Sequence, residues 1–316
     1  MIREYRVGTR GSALAMKQTE TIMARIQAKF PDTRFRVVEI VTHGDRFREK
    51  PIAEMGEEVD RGIFNTALEQ AVLSGEVDFA TCSFKDVETD LPAGLRAISV
   101  LEREDVRDVL VTRHGVDLAA LPPNAELATS SPRRISQLRA FRPDFRFHPL
   151  RGNVTTRVEK EPARFDGVVL AAAGLLRLGL QGHIQQFIPD TVLLPAPAQA
   201  ALGCEFRAER EDVARLIEGI QHAATERCVR LEKAMLVRLS GGCFAPIGVL
   251  AREEEGRLRL RVRIVSLDAA RRVEEEGSGA PEDGPALVEQ LAKRIAEQGG
   301  LEIVRDTRKA LTAGKG

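Results

Sequence analysis

Ala125-Glu-Leu-Ala-Thr-Ser-Ser-Pro-Arg-Arg-Ile-Ser-Gln-Leu138 decides how the rest of this chain is read. Its first five residues read as a strand. Ser131 and Pro132 then read as the N-cap and first position of a helix with Ile135, Leu138 and Phe141 on its apolar side. Arg133 and Arg134 therefore stand in the first turn, where unpaired backbone N–H groups already make a helix electropositive. Two cations placed there are best explained by an anion that they hold. Leu150-Arg151-Gly152-Asn153 repeats the arrangement, with Asn153 as a second N-cap and Arg157 one turn in. Arg10 makes a third case, between a strand at 6–9 and a helix opened by Gly11-Ser12. A solvated basic face would account for one such pair, but less well for three helix starts.

Outward from this stretch, strands and helices alternate. Strands are expected at 35–42, 77–84 and 95–101, with a helix through Ile63, Phe64, Ala67, Leu68, Ala71 and Val72. From Asp105 a second unit follows, with strands near Val109, Leu127, Phe145 and Val168 and a helix bearing Gly174 and Arg177. Short links of this kind predict parallel sheets covered on both faces. Ligands collect beyond the carboxyl ends of such strands, and Lys85-Asp86 falls there. Residues 193–197 read as a crossing and 199–206 as a return, so two α/β domains around a cleft are expected. The expected domains are 1–104 plus 198–219, then 105–197, then a small α+β domain over 220–316.

In that last domain Leu258, Leu260, Val262 and Ile264 alternate with Arg257, Arg259, Arg261 and Arg263, which predicts a half-buried antiparallel strand with a solvated Arg row. The last helix, through Leu287 to Ile295, stops at Gly299-Gly300, and the tail after Arg305 is expected to fray.

The 316 residues carry 47 Lys+Arg against 47 Asp+Glu, so no net field draws the chain to nucleic acid or membrane. Aromatics at 4%, with no Trp, remove the stacking platforms of single-strand binders. No signal-peptide pattern opens the chain, and its longest uncharged stretch, 167–176, is too short to span a bilayer. A cytoplasmic protein is expected. Cys82, Cys204, Cys228 and Cys243 form no C-x-x-C pair, so neither a metal site nor a disulfide framework is indicated. Cys204 and Cys228 read as buried within elements. Cys243 follows two glycines on a loop, where backbone approaches ligands closely, yet on spacing alone, with no His near it in sequence, it reads as a structural cysteine.

Taken together, Thr9-Arg10-Gly-Ser12, Ser83-Phe-Lys85-Asp86-Val, Glu102-Arg-Glu-Asp-Val-Arg107-Asp, Thr129-Ser-Ser-Pro-Arg-Arg134, Leu150-Arg-Gly-Asn-Val-Thr-Thr-Arg157, Ala173-Gly-Leu-Leu-Arg177 and Gly241-Gly-Cys243-Phe-Ala-Pro-Ile-Gly resemble the porphobilinogen deaminase family, the hydroxymethylbilane synthases. The match is colinear and specific as a series. It implies three domains, the first two like periplasmic binding proteins. It also implies a dipyrromethane cofactor joined to Cys243 by a thioether, and head-to-tail condensation of four porphobilinogen molecules with loss of ammonia. By resemblance Asp86 is the catalytic carboxylate. Ser83, Lys85, Thr129, Ser130, Arg133, Arg134 and Gly174 would hold the cofactor, with Ser131 adding a hydrogen bond. Arg10, Ser12, Phe64, Arg151, Arg157, Arg177 and Gln199 would bind substrate carboxylates and rings. The resemblance leans towards a monomer.

The chain departs from the family at three places. Cys82 and Phe84 replace the usual His and Met, and Glu88 the usual Pro. The loop from Gly56 to Phe64 is longer and more acidic, with Arg61 standing in for a lysine and Glu54 at another lysine position. Ala198-Gln199-Ala200 replaces Gly-Gln-Gly, which should stiffen the crossing. Cys82 is thereby expected near the cofactor. One rival reading is a catalytically silent cleft protein binding a small polycarboxylate or other anion. A nucleotide enzyme is weaker, because no Walker-type or G-x-G-x-x-G motif follows a strand.

Overall fold

A computed structural model describes residues 3–42, 66–150, 152–241 and 245–313. In chain order the strands are β1 (Arg3–Thr9), β2 (Thr33–Glu39), β3 (Phe79–Ser83), β4 (Leu95–Val100), β5 (Asp108–Val111), β6 (Glu126–Ala128), β7 (Arg146–His148), β8 (Gly167–Ala171), β9 (Gln186–Phe187), β10 (Leu202–Arg207), β11 (Ile247–Glu254), β12 (Arg257–Val265) and β13 (Arg272–Gly279). The helices are α1 (Ala13–Lys29), α2 (Thr66–Leu73), α3 (Pro132–Phe141), α4 (Val154–Lys160), α5 (Ala172–Arg177), α6 (Glu211–Glu218), α7 (Ala223–Arg238), α8 (Gly284–Glu297) and α9 (Gly300–Ala313). They form two compact units, residues 1–104 with 200–229, and 105–199 with 230–316.

The first unit is built on a sheet of order β2-β1-β3-β10-β4. β1 runs parallel to β2 and β3, while β10 is antiparallel to both its neighbours. The expected all-parallel sheet is thus mixed. β10 enters this sheet from the irregular segment 191–201, with no helix of this unit leading into it. Ile22 and Ile26 of α1, placed one turn apart, bury against Val7, Phe79, Ile98 and Phe206. Each such side chain contributes roughly 1.5–3 kcal/mol when fully removed from water.

The second unit repeats the plan in the order β7-β6-β8-β5-β9, with β5 antiparallel to β8 and β9 and the remaining pairs parallel. Here too the reversed strand is the one that follows a crossing. Leu110, Leu127, Leu138 and Val169 form its core with Leu193 of the return crossing. Residues 191–199 are irregular and rich in proline, so their backbone groups need side-chain partners. Leu194 receives them from α3: its carbonyl accepts from Arg133 Nη1 at 2.8 Å and Gln137 Nε2 at 3.2 Å, and its N–H donates to Gln137 Oε1 at 2.8 Å.

The antiparallel sheet β11-β12-β13, with its helices, belongs to the same unit. Its Arg row is solvated as expected at Arg257 and Arg259, but not at Arg261 and Arg263. β12 is the central strand, and Glu274 and Glu276 on β13 stand opposite Arg263 and Arg261, so the guanidinium groups find carboxylates across the ladder. Arg263 is only 2% exposed and also donates to Gln137 Oε1 at 2.9 Å and to the carbonyls of Thr191 and Val192. The tail, expected to fray, is helical as far as Ala313. Gly299, at φ 81°, ends α8, and the chain restarts as α9, burying Ile303, Val304 and Thr307. Among the described residues no helix is long and apolar enough to cross a membrane.

Candidate active site

Within the first unit the carboxyl ends of β1 and β3 lie side by side, because the two strands are parallel neighbours. Arg10 follows one of them and Lys85 and Asp86 follow the other, in the 3-10 turn Phe84–Asp86. Both side chains of that turn are half-buried. The turn is fixed from below: the Phe84 N–H donates to the Ala201 carbonyl at 2.9 Å, and the Phe84 ring packs closely against Gly203. Ser12 is the N-cap of α1 as expected, accepting from the Ala15 N–H at 3.3 Å. Ser83 pairs with the side chain of Gln18, one and a half turns into α1, at 3.0 Å. Buried hydroxyls of Thr9, Thr19 and Thr81, at 2.8 and 2.6 Å, tie α1 to both strands. The polar residues on the inner side of α1 therefore brace the ends of the strands from which Ser83, Lys85 and Asp86 project.

In the second unit Thr129, Ser130 and Ser131 lead into α3 as the sequence predicts. Thr129 accepts from the Ser131 N–H at 3.3 Å, and Ser131 caps the helix at the Arg134 N–H. Ser130 is engaged with Leu150, donating to its carbonyl at 3.1 Å and accepting from its N–H at 2.8 Å. The arginines that follow do face an anion, but it belongs to the chain. Arg133 Nη1 reaches Asp108 Oδ2 at 2.8 Å, while Arg134 Nε and Nη2 reach Oδ1 at 3.0 and 2.7 Å. Burial alone would push the Asp108 carboxyl up, yet the two guanidinium groups hold it down to about 2. Arg134 Nη1 also binds the Val169 carbonyl at 2.9 Å.

Gln199 is wholly buried, and its amide nitrogen reaches the Val106 carbonyl at 2.8 Å and Asp108 Oδ1 at 3.2 Å. Gly174 is buried inside α5, Arg177 ends that helix, and Arg157 lies in α4, both arginines partly exposed. Cys82 is buried and directs its thiol to the Gly203 carbonyl at 3.7 Å; Cys204 and Cys228 are buried, as expected. Phe64, Arg151, Cys243 and the acidic loop lie outside the described residues. Sequence reasoning missed Gln18, Asp108 and Gln137. Of these only Asp108 leaves a trace, as the last residue of the Glu102-to-Asp108 motif and as a charge opening the otherwise apolar strand Asp108-Val-Leu-Val111.

Two family models cover most of the chain: "Porphobilinogen deaminase, dipyromethane cofactor binding domain" over residues 5–215 and "Porphobilinogen deaminase, C-terminal domain" over residues 226–297. The porphobilinogen deaminase of Desulforudis audaxviator is 43% identical across 98% of this chain and 99% of its own. That of Syntrophomonas wolfei is 38% identical across 98% and 100%. Among solved structures, a putative methionine-binding lipoprotein of Bacillus subtilis matches with TM-score 0.44 and 12% identity, over 69% of this chain and 90% of that one.

Proposed function

The chain belongs to the porphobilinogen deaminase family, and on that premise we propose how its residues divide the work. Its function is that of a porphobilinogen deaminase in tetrapyrrole biosynthesis, using a dipyrromethane cofactor. Cys243 carries that cofactor through a thioether, and the attached dipyrromethane supplies the pyrrole carbon at which the growing chain is extended.

The described residues suit a group rich in carboxylates. Among the described residues one buried aspartate offsets only one of the two guanidinium charges at the start of α3, and Arg133 Nε is buried with no hydrogen-bond partner. Arg133 and Arg134, with Thr129, Ser130, Ser83, Lys85 and Gly174, hold the cofactor. Arg10, Ser12, Arg151, Arg157, Arg177, Phe64 and Gln199 bind the substrate's acetate, propionate and ring.

Asp86 performs the catalysis. The observation that carries this role is the turn after β3, which sets a carboxylate on a braced support beside Lys85. Such a carboxylate stabilises the positive charge that develops on the substrate methylene as ammonia leaves. The 220–316 segment is a separate domain in this reading, supported by the second family match beginning at residue 226. A cytoplasmic monomer is the setting we propose.

Intact mass, followed by mapping of the Cys243 peptide, tests the whole reading. A gain of two pyrrole units on that peptide, rising stepwise when porphobilinogen is added, is the expected result. A chain that stays unmodified after prolonged incubation with porphobilinogen would overturn it in favour of a silent anion binder.

A further inference from the structure

Asp108 belongs to the motif Glu102-Arg-Glu-Asp-Val-Arg107-Asp108, yet neither the sequence nor the proposed mechanism gives it a task. It is wholly buried at the first position of β5, paired in register with Ala171, the residue that precedes α5. Three side chains assigned above to cofactor or substrate converge on its carboxylate. Arg133 binds Oδ2, and Arg134 and Gln199 share Oδ1.

We propose that Asp108 is a positioning residue for the reaction, fixing the two guanidinium groups at the head of α3 and leaving them with the net charge that a single ligand carboxylate requires. This rests on the reading that Arg133 and Arg134 hold ligand carboxylates. Two buried guanidinium groups on consecutive residues repel each other, and without a shared counter-charge they would turn apart. The carboxylate is well placed to prevent this because it comes from the sheet. β5 is hydrogen-bonded to neighbours on both sides, so the oxygens that orient the arginines do not move with the helix that carries them. Gln199 brings the end of the return crossing to the same oxygen, and its second bond, to Val106, ties the two crossings together within this unit.

The test compares Asp108→Asn, Asp108→Glu and Arg134→Gln with the unaltered chain. Four readings are taken: melting temperature, fraction of chain carrying the cofactor mass after incubation with porphobilinogen, KM, and kcat per loaded chain. Asp108→Asn removes the charge; Asp108→Glu keeps it but moves it by one methylene, and serves if the first variant does not fold. Both are expected to lower the loaded fraction and raise KM by roughly tenfold or more, the equivalent of one charge-assisted hydrogen bond, with a smaller change in kcat per loaded chain. If loading and KM stay normal in both while melting falls, Asp108 is merely structural and the proposal is overturned. If Arg134→Gln also leaves loading and KM unchanged, the arginine reading beneath it has failed instead.

Discussion

Glu232 Oε2 accepts the N–H of Ala198 at 2.6 Å, and Oε1 of the same side chain accepts the N–H of Ala251 at 2.8 Å. A wholly buried carboxylate on α7 thus anchors both the last turn of the return crossing and the middle of β11. Truncation would leave two buried donors unsatisfied, each worth about 1–3 kcal/mol. Glu232→Ala is therefore expected to lose roughly 3 kcal/mol or more in urea denaturation. A midpoint equal to that of the unaltered chain would show that water replaces the carboxylate without penalty.

Ala198 and Ala200 occupy the left-handed region, at φ 59° and 72°. A Cβ there costs about 1–2 kcal/mol per residue, and glycine removes it while making the unfolded chain freer by about 0.5–1 kcal/mol. Ala198→Gly and Ala200→Gly should each stabilise the protein by about 0.5–1 kcal/mol, seen as a raised melting temperature. The opposite sign would mean that these alanines are not strained. The stiffening expected at these positions thus comes with a stability loss that the family's usual Gly-Gln-Gly avoids.

Asp86→Asn keeps the size of the side chain and removes its charge. It should fold and melt normally but lose turnover by about a thousandfold or more, since the carboxylate faces charge that develops mainly in the transition state. Near-normal turnover would remove Asp86 from the mechanism.

How much of this was legible beforehand depended on whether a feature is local. Ser12 and Ser131 declared themselves as N-caps because capping is settled within four residues. The strand-end position of Lys85-Asp86 followed from an apolar run, which is local too. What stayed hidden was set by partners distant in sequence. Arg133 and Asp108 are 25 positions apart and Arg263 and Gln137 are 126 apart, so both arginines looked available for ligand or solvent. The reversed strands β5 and β10 are likewise long-range facts. α9 was different: Ile303, Val304, Thr307 and Leu311 carry a helical period, and the glycines before them concealed it.

Acid sensitivity follows from ion-paired carboxylates, of which Asp108 is fully buried and Glu274 and Asp212 partly exposed. Asp108 is held down to about 2 by Arg133 and Arg134 against its burial, and Glu274 to about 2 by Arg263 and Arg272, again against burial. Asp212 is held to about 2, chiefly by its hydrogen bonds from Arg210. Each folded value lies below that of the unfolded chain, so the stabilisation is fully present above about pH 4.5 and is lost as pH falls towards about 2. Unfolding free energy should be level near neutrality and drop through that window. Glu274→Gln should flatten the drop; an unchanged slope would mean that this carboxylate is not depressed.

Gly203 stands opposite Cys82 in the β3–β10 ladder, close against the ring of Phe84. A Cβ there would lie 2.2 Å from Phe84 Cδ2 and 3.3 Å from the Ile98 carbonyl, so the ring must give way. Because Phe84 begins the turn that ends in Asp86, displacing it shifts the carboxylate as well as loosening the core. Gly203→Ala is expected to destabilise by about 1–3 kcal/mol and to lower kcat more than it raises KM. Methionine, the family's usual residue at position 84, is unbranched and can bend away from the added methyl. Gly203→Ala combined with Phe84→Met should therefore recover most of the lost turnover. If Gly203→Ala alone retains full kcat, the ring does not set the position of Asp86; if the double variant remains slow, the added methyl acts through the strand rather than through the turn.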